Sequence, residues 1–301
     1  MALLTMTTGT ASKISLWVMA VRPRTLTAGA APVILGAALA WEDAFRARVS
    51  LLALLCCLLL QAGTNLANDY FDAKHGIDGE SRLGPVRVTQ SGLIAPDHVR
   101  AAFVICFFAA AIFGLPLVQA GGLPILVIGI FSLLFAYLYT GGPYPLAYYG
   151  MGELLAFVFF GIVATVGVYY LNTKSVALNA MIGGMGLGFL AALLMGINNL
   201  RDIQTDRAAG KKTVAVMLGE ARGRYFLTGL LLAALLMPAA YALLNPDRPF
   251  VLLASAGVAP FAARFAMILS APIDSGFNRL LAAAGQYVFV YAVLFSVGVV
   301  L

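Results

Sequence analysis

Long apolar stretches separated by polar connections dominate the pattern of the chain. The stretch AAFVICFFAAAIFGLPLV (101–118) is apolar on every face of a helix, whereas a barrel strand would alternate apolar and polar side chains. Crossing a bilayer core takes roughly 20 helical residues. The pattern predicts nine transmembrane helices, at approximately 24–41, 50–70, 99–119, 122–140, 152–171, 177–200, 225–244, 249–270 and 280–301.

Composition supports the same fold class. The chain is 61% hydrophobic and only 11% charged, and a soluble domain of this length needs more charge to cover its surface. We therefore expect an all-α polytopic membrane protein, a single domain over 1–301 whose helices surround a central cavity that opens toward the cytoplasmic loops. The three cysteines lie in apolar runs and indicate neither a disulfide framework nor a zinc site.

The lysines and arginines of the loops are distributed unequally between the two sides of the membrane. With nine spans, the strongly basic loops all fall on one side of the membrane, and the other side receives only Arg46, Arg48, Lys174 and Arg248. Basic loops face the cytoplasm, so the N-terminus is predicted to be cytoplasmic and the C-terminus outside. The net charge of +6 is explained by this membrane topology, and no nucleic-acid partner is expected.

Two predicted spans end in acids and amides. Asn65, Asn68, Asp69 and Asp72 are spaced so that they share one face of a helix. Asn198, Asp202 and Asp206 repeat the arrangement at a second span end, where Asn199 flanks them. The two stripes indicate a degenerate repeat with halves at roughly 15–140 and 150–301.

The donor chemistry of the stripes points to a hard cation. Carboxylates one helical turn apart repel one another unless a cation lies between them. Carboxylate and amide oxygens suit Mg²⁺, which usually completes its shell with water and substrate phosphate oxygens. Basic residues in the two adjoining loops can meet such an anion directly: Arg82, Arg87, Lys211 and Lys212. The pattern predicts a metal–diphosphate site at the mouth of an apolar cavity, and hence a lipid-tailed diphosphate.

These motifs resemble the UbiA-type intramembrane aromatic prenyltransferases. NDYFD (68–72) is similar to the family's NDxxD motif, and Asp202 with Asp206 to its DxxxD motif. The match is most similar to the branch that prenylates 1,4-dihydroxy-2-naphthoate in menaquinone biosynthesis. The branch resemblance rests on RPRTLTAG (22–29), GPVRVTQSG (84–92), YTGGPYPLAYYGMGE (139–153), FFG (159–161) and NNLRDIQTDRAAGKKT (198–213).

The resemblance implies a reaction and roles. A polyprenyl diphosphate ionises on magnesium, the naphthoate ring attacks the allylic carbon, and diphosphate and carbon dioxide leave, giving a demethylmenaquinone. Asn68, Asp69 and Asp72 would bind one magnesium ion, and Asp202 and Asp206 a second. Further ligands or substrate contacts would come from Asn65, Asn198, Asn199 and Tyr139. The ring of Tyr139 could face the allylic cation. The implied location is the bacterial inner membrane.

Glu153 begins a predicted span in the loop that matches the family's acceptor side. It could orient or deprotonate a ring hydroxyl, or it could only stabilise a helix N-terminus. One departure stands nearby: several family members carry Lys four residues after the tyrosine that matches Tyr139, and this chain has Pro143.

Two other functions fit parts of the pattern. The acceptor could be 4-hydroxybenzoate or homogentisate instead of the naphthoate. A cation-coupled transporter would also carry intramembrane acids, but near the midplane of broken helices, whereas these acids lie at span ends beside basic loops. The sequence leaves the prenyl length and the oligomeric state open.

Overall fold

A computed structural model describes residues 12–76, 83–84 and 86–301. The described chain is helical and contains no strand. The helices are α1 (Lys13–Val21), α2 (Pro23–Leu39), α3 (Ala47–Lys74), α4 (Pro96–Gly121), α5 (Leu123–Leu138), α6 (Gly152–Thr173), α7 (Leu178–Arg201), α8 (Ile203–Ala208), α9 (Val214–Leu244), α10 (Pro249–Ser270) and α11 (Phe277–Val300), with short helical turns at Trp41–Ala44 and Leu146–Tyr149.

The all-helical class predicted from the sequence is confirmed. Seven of the described helices are long and apolar enough to cross a membrane, namely α3, α4, α6, α7, α9, α10 and α11. The other two predicted spans correspond to shorter apolar helices, Thr25–Leu39 and Leu123–Leu138. The count of nine spans therefore stays a prediction.

The boundaries differ most at the span predicted for 225–244. Helix α9 begins at Val214, so the second half of the basic connection is helical. Gly219 adopts φ 76° inside this helix, a left-handed backbone conformation that favours glycine. The charged segment thus continues the apolar helix beyond a kink, which a hydropathy pattern does not reveal.

Helix α7 is the central packing element. Its Leu190, Leu193 and Ile197 are buried against α2, α9 and α11 in the largest apolar cluster. A side chain at Gly161 of α6 would place its Cβ 2.4 Å from the Cα of Gly188 in α7. Glycine at both positions therefore permits close backbone approach, as at many membrane helix interfaces.

This packing brings the two polar helix ends together. The ends of α3 and α7 lie at the same end of the bundle, because Arg201 at the end of α7 donates to Asn278, which in turn donates to Leu83 in the segment after α3. Apolar side chains of α2 to α7, α10 and α11 surround the remainder of that cavity. The fold thus joins polar groups that are about 130 residues apart in the sequence.

Candidate active site

The cavity has a volume of about 1710 Å³ and contains most of the predicted site residues. Ten of them line it: Asn65, Asn68, Asp72, Arg87, Tyr139, Asn198, Asn199, Asp202, Asp206 and Lys211. Asp69, Glu153 and Lys212 do not, and Arg82 lies outside the described residues. The two stripes therefore form one site, with fewer members than their spacing predicts.

The first stripe divides between the cavity and the following loop. Asn68 lines the cavity, where its Oδ1 accepts a 2.8 Å hydrogen bond from Thr140 Oγ1. Asp72 lies 2.6 Å from the Arg87 guanidinium. Asp69, by contrast, is buried and accepts bonds from Thr89, at 3.0 Å from the backbone N and 2.6 Å from Oγ1. Asp69 thus binds the loop after α3 in this structure and does not line the cavity, and its assignment as a metal ligand stays a prediction.

The second stripe is not one continuous helical face. Helix α7 ends at Arg201, Asp202 has φ −93° and ψ 12°, and the short helix α8 follows. Asn198, Asp202 and Asp206 nevertheless all line the cavity. The backbone bonds from Asp202 N to Asn198 O and from Asp206 N to Asp202 O are kept across this distortion, so the three side chains still line one cavity.

Arg201 lies between members of this stripe, and the sequence pattern does not single it out. It is only 2% exposed, and its guanidinium donates to both oxygens of Asp202 and to Asn198 Oδ1, which is 2.8 Å away. A fourth bond, 2.9 Å long, goes to Asn278 Oδ1 on α11. The sequence contains one signal that could have identified Arg201: it directly precedes the motif aspartate at the end of an apolar span.

The last carboxylate is paired with a lysine. The Lys211 ammonium lies 3.3 Å from Asp206 and 5.4 Å from the centre of the Tyr148 ring. Burial raises the pKa of Asp206 to about 6, although Lys211 acts in the opposite direction. Asp206 is thus a desolvated carboxylate, an environment in which a positive partner has a strong effect.

Each carboxylate that lines the polar end therefore has its own base: Asp72 with Arg87, Asp202 with Arg201, and Asp206 with Lys211. A buried carboxylate without a counter-charge is costly, so each base offsets the cost of burying its carboxylate when no ligand is bound. The same three bases can donate to phosphate oxygens, which they meet with the geometry used for carboxylates. Each of these bases can therefore exchange its carboxylate partner for a phosphate oxygen.

One loop connects the two stripes. Residues 86–92 contain Arg87 and Thr89, which hold Asp72 and Asp69 of α3. Asn278, the partner of Arg201, donates a 2.7 Å bond to the Leu83 carbonyl oxygen. The segment following α3 is therefore tied to the second stripe by hydrogen bonds through Asn278 and Arg201.

Glu153 contacts a residue that lines the cavity but does not line it itself. It is buried, and its Oε1 accepts a 3.0 Å bond from Asn199 Nδ2. Its Oε2 has no hydrogen-bond partner within the described part of the chain. Asn199 lines the cavity and Glu153 does not, so direct contact between Glu153 and a bound acceptor, one of the two sequence interpretations, does not match this placement.

The remaining predicted residues have structural partners or face away. Asn65 Nδ2 donates to the Val21 carbonyl oxygen and to Thr25 Oγ1, each at 2.8 Å, and so fixes the junction of α1 and α2. The Tyr139 hydroxyl lies 3.2 Å from Met195 Sδ. Lys212 has an exposed side chain away from the cavity.

The donor set fits magnesium only together with a substrate. Within the described ranges, no group of three or more His, Cys, Asp or Glu side chains is placed to hold a metal ion. The cavity instead presents one carboxylate and two amides from the first stripe, and two carboxylates and one amide from the second. Magnesium is commonly held by one or two carboxylates, with substrate phosphates and water completing its shell.

The model of the UbiA prenyltransferase family matches residues 30–298 of this chain. The chain belongs to the UbiA prenyltransferase family. With its seven candidate spans, membership identifies it as an integral membrane protein. The resemblance inferred from the two acidic motifs is confirmed at the level of the family.

Curated relatives carry a more specific name. The Escherichia coli 1,4-dihydroxy-2-naphthoate octaprenyltransferase is 37% identical over 241 residues, which cover 78% of each chain. The Mycobacterium tuberculosis protein of the same name is 41% identical over 219 residues, 72% of this chain and 75% of the relative. A UbiA homologue from Archaeoglobus fulgidus, solved with GPP and Mg²⁺, has a TM-score of 0.65 at 16% identity, covering 95% of this chain and 99% of the homologue. That structural likeness supports the fold.

Proposed function

We propose that this family member transfers a polyprenyl group from a polyprenyl diphosphate to 1,4-dihydroxy-2-naphthoate. The observation that carries the proposal is the set of three carboxylate–base pairs at the polar end of a large apolar cavity. The names of the two bacterial relatives support the choice of acceptor. The product would be a demethylmenaquinone in its quinol form, with diphosphate and carbon dioxide released.

Asn68, Asp72, Asn198, Asp202 and Asp206 would hold magnesium together with the donor diphosphate. Bound magnesium would supply Lewis-acid stabilisation of the negative charge on the leaving diphosphate. Asp69 is the weakest member of the predicted ligand set, because it does not line the cavity and Thr89 donates to one of its carboxylate oxygens. Its role in this proposal is to hold the loop that carries Arg87.

The bases would change partners when the donor binds. Arg87, Arg201 and Lys211 each neutralise a carboxylate in the structure. A diphosphate would attract the same cations, which would then stabilise charge as the allylic carbon–oxygen bond breaks and its electron pair leaves with diphosphate. Charge neutralisation is therefore available both before and after binding, and no residue has to be left as an isolated buried charge.

The apolar part of the cavity would protect the allylic cation from water. A carbon of the naphthoate ring would form the new bond to the allylic carbon. Loss of the ring carboxylate as carbon dioxide would return its electron pair to the ring. Near the polar end, Tyr139 and the amide of Asn199 would contact the acceptor, since both line the cavity, and Glu153 would fix the orientation of that amide.

The test is product analysis in membranes that contain the expressed chain. Octaprenyl diphosphate is supplied with 1,4-dihydroxy-2-naphthoate, 4-hydroxybenzoate or homogentisate, and the products are identified by mass spectrometry. We expect a prenylated naphthoquinone from the first acceptor and little product from the others. A preference for either benzenoid acid would support prenyl transfer but contradict the proposed acceptor.

Insertion with the N-terminus in the cytoplasm is part of the same proposal. It can be tested by the accessibility of a cysteine substituted at Ser12.

A further inference from the structure

The cavity continues well beyond the polar end. Tyr139 lines it next to the site, and Ile125, near the start of α5, lines it at the other end of the same helix. The helical path from Ile125 to Tyr139 is about 21 Å long at 1.5 Å per residue. Most of this length is lined by aliphatic side chains, small residues and phenylalanines.

Two glycines on neighbouring helices line this apolar part. Gly114 lies eight residues before the connecting Gly122, and Gly129 lies seven residues after it. Helices α4 and α5 pack against each other on either side of this turn. At 1.5 Å per residue both glycines are about 10–12 Å from the turn, so they lie at the same depth in the bundle.

Nothing in the described chain fills the space beside either glycine. A Cβ atom placed on Gly114 or on Gly129 would have no heavy atom within 4 Å, and neither residue has positive φ. The next residues, Leu115 and Ile130, also line the cavity, yet they are 55% and 54% exposed. At this level the cavity is therefore lined by residues that also reach the outer surface of the helix bundle.

We infer that the open space beside Gly114 of α4 and Gly129 of α5 receives the tail of the donor and allows long polyprenyl chains to be bound. This inference rests on the proposed function and adds a determinant of donor length. Gly129 is ten residues, or about 15 Å, from Tyr139 at the polar end. An extended octaprenyl chain is longer than that distance, so its far end must pass this level, whereas a geranyl chain ends before it.

The physical basis is steric. A phenylalanine at either glycine would occupy the open space at this depth and exclude the distal tail. Short donors would bind as before, because the diphosphate groups and the proximal tail do not reach the substitution. The apolar tail gains affinity from each buried methylene, and that gain would be lost only for the units beyond the block.

The experiment compares Gly114→Phe and Gly129→Phe with the unaltered chain. The matched control is Gly229→Phe: Gly229 is also a helical glycine at which an added Cβ would meet no atom within 4 Å, but it is exposed and does not line the cavity. Binding of geranyl and octaprenyl thiodiphosphates with Mg²⁺ is measured without acceptor, and kcat/KM for both diphosphates is measured with 1,4-dihydroxy-2-naphthoate. Leucine variants at both positions provide a second, smaller block.

We expect the octaprenyl-to-geranyl ratio of kcat/KM to fall at least about tenfold in both phenylalanine variants, a typical effect of a changed apolar pocket. The control should keep the ratio of the unaltered chain. Unchanged ratios in folded phenylalanine and leucine variants would overturn the inference and leave the proposed function intact. If the unaltered chain bound neither thiodiphosphate, the proposed function itself would fail. Binding of both without transfer to the naphthoate would reject only the acceptor.

Discussion

Arg201 and Asp202 form a two-pronged ion pair at the end of α7. Arg201 Nε lies 2.8 Å from one carboxylate oxygen of Asp202, and a terminal nitrogen lies 2.6 Å from the other. The same guanidinium reaches Asn198 and Asn278, so it holds the second stripe in place and ties it to α11. Only a planar guanidinium can serve all of these partners together.

Replacing Arg201 by lysine should therefore lower activity although the charge is kept. A lysine cannot donate to both Asp202 oxygens, Asn198 and Asn278, and each lost charge-assisted hydrogen bond is worth about 1.5–3 kcal/mol. We expect at least a tenfold loss of kcat/KM, by the conversion of about 1.4 kcal/mol per factor of ten, and a lower Tm. Arg222→Lys is the control, since Arg222 is exposed. Equal activity of the two variants would contradict the structural role of Arg201.

The loss of a cavity-lining aspartate from either stripe should remove the chemical step. Asp72→Ala and Asp202→Ala each delete a carboxylate that lines the cavity. Turnover should nearly vanish while the protein stays folded and inserted, because stabilisation of the leaving group is worth several kcal/mol. Steady-state prenylation at saturating donor is the measurement. Near-normal turnover in either variant would exclude that stripe from the metal site.

Asp69→Ala should affect stability and loop order more than the chemical step. Asp69 accepts two bonds from Thr89, and unsatisfied buried donors cost about 1–3 kcal/mol. We expect a lower Tm and weaker donor binding, with more residual turnover than in Asp72→Ala. Thr89→Val, which removes only the hydroxyl bond, should show a smaller change in the same direction. Complete inactivity of Asp69→Ala with an unchanged Tm would instead make Asp69 a metal ligand.

Removal of divalent metal should abolish turnover. Every side chain proposed to bind the cation presents oxygen, and this donor set favours magnesium over zinc or copper. Activity should disappear after exhaustive EDTA treatment and return with added Mg²⁺. Full activity in the chelated protein would refute the metal assignment. Donor binding measured with and without Mg²⁺ would show whether the cation enters with the diphosphate.

Variants of Glu153 should separate a positioning role from a direct one. Glu153→Gln keeps a carbonyl oxygen that can accept from Asn199, whereas Glu153→Leu removes the acceptor. If Glu153 acts through Asn199, KM for the naphthoate should rise more in the leucine variant, with donor binding preserved in both. A loss of about 10²–10⁴-fold in kcat for Glu153→Gln alone would be the effect of a missing general base. That result would support direct contact between Glu153 and the acceptor.

The positions of the helices and of their polar ends could be predicted from the sequence. Apolar length fixes where a chain can cross a bilayer, because each backbone polar group must be satisfied within its helix. Regular spacing fixes which residues share a helix face, so spacing alone identifies the first stripe. The order of residues along the chain also places both stripes beside basic loops. The motifs at 68–72 and 202–206 indicate the family, which the family model confirms.

Only the tertiary structure decided how each polar group is used. At about 100° per residue, the first stripe covers a face broad enough for Asp69 to contact a loop while Asn68 and Asp72 face the cavity. The choice depends on what packs against the edge of that face, and the helix itself does not encode it. The contact of Glu153 with Asn199 and the open space beside Gly114 and Gly129 likewise depend on how distant segments pack. The spacing of residues determines on which side of its own helix each side chain lies. Contacts between helices determine whether that side faces the cavity, a loop or another helix.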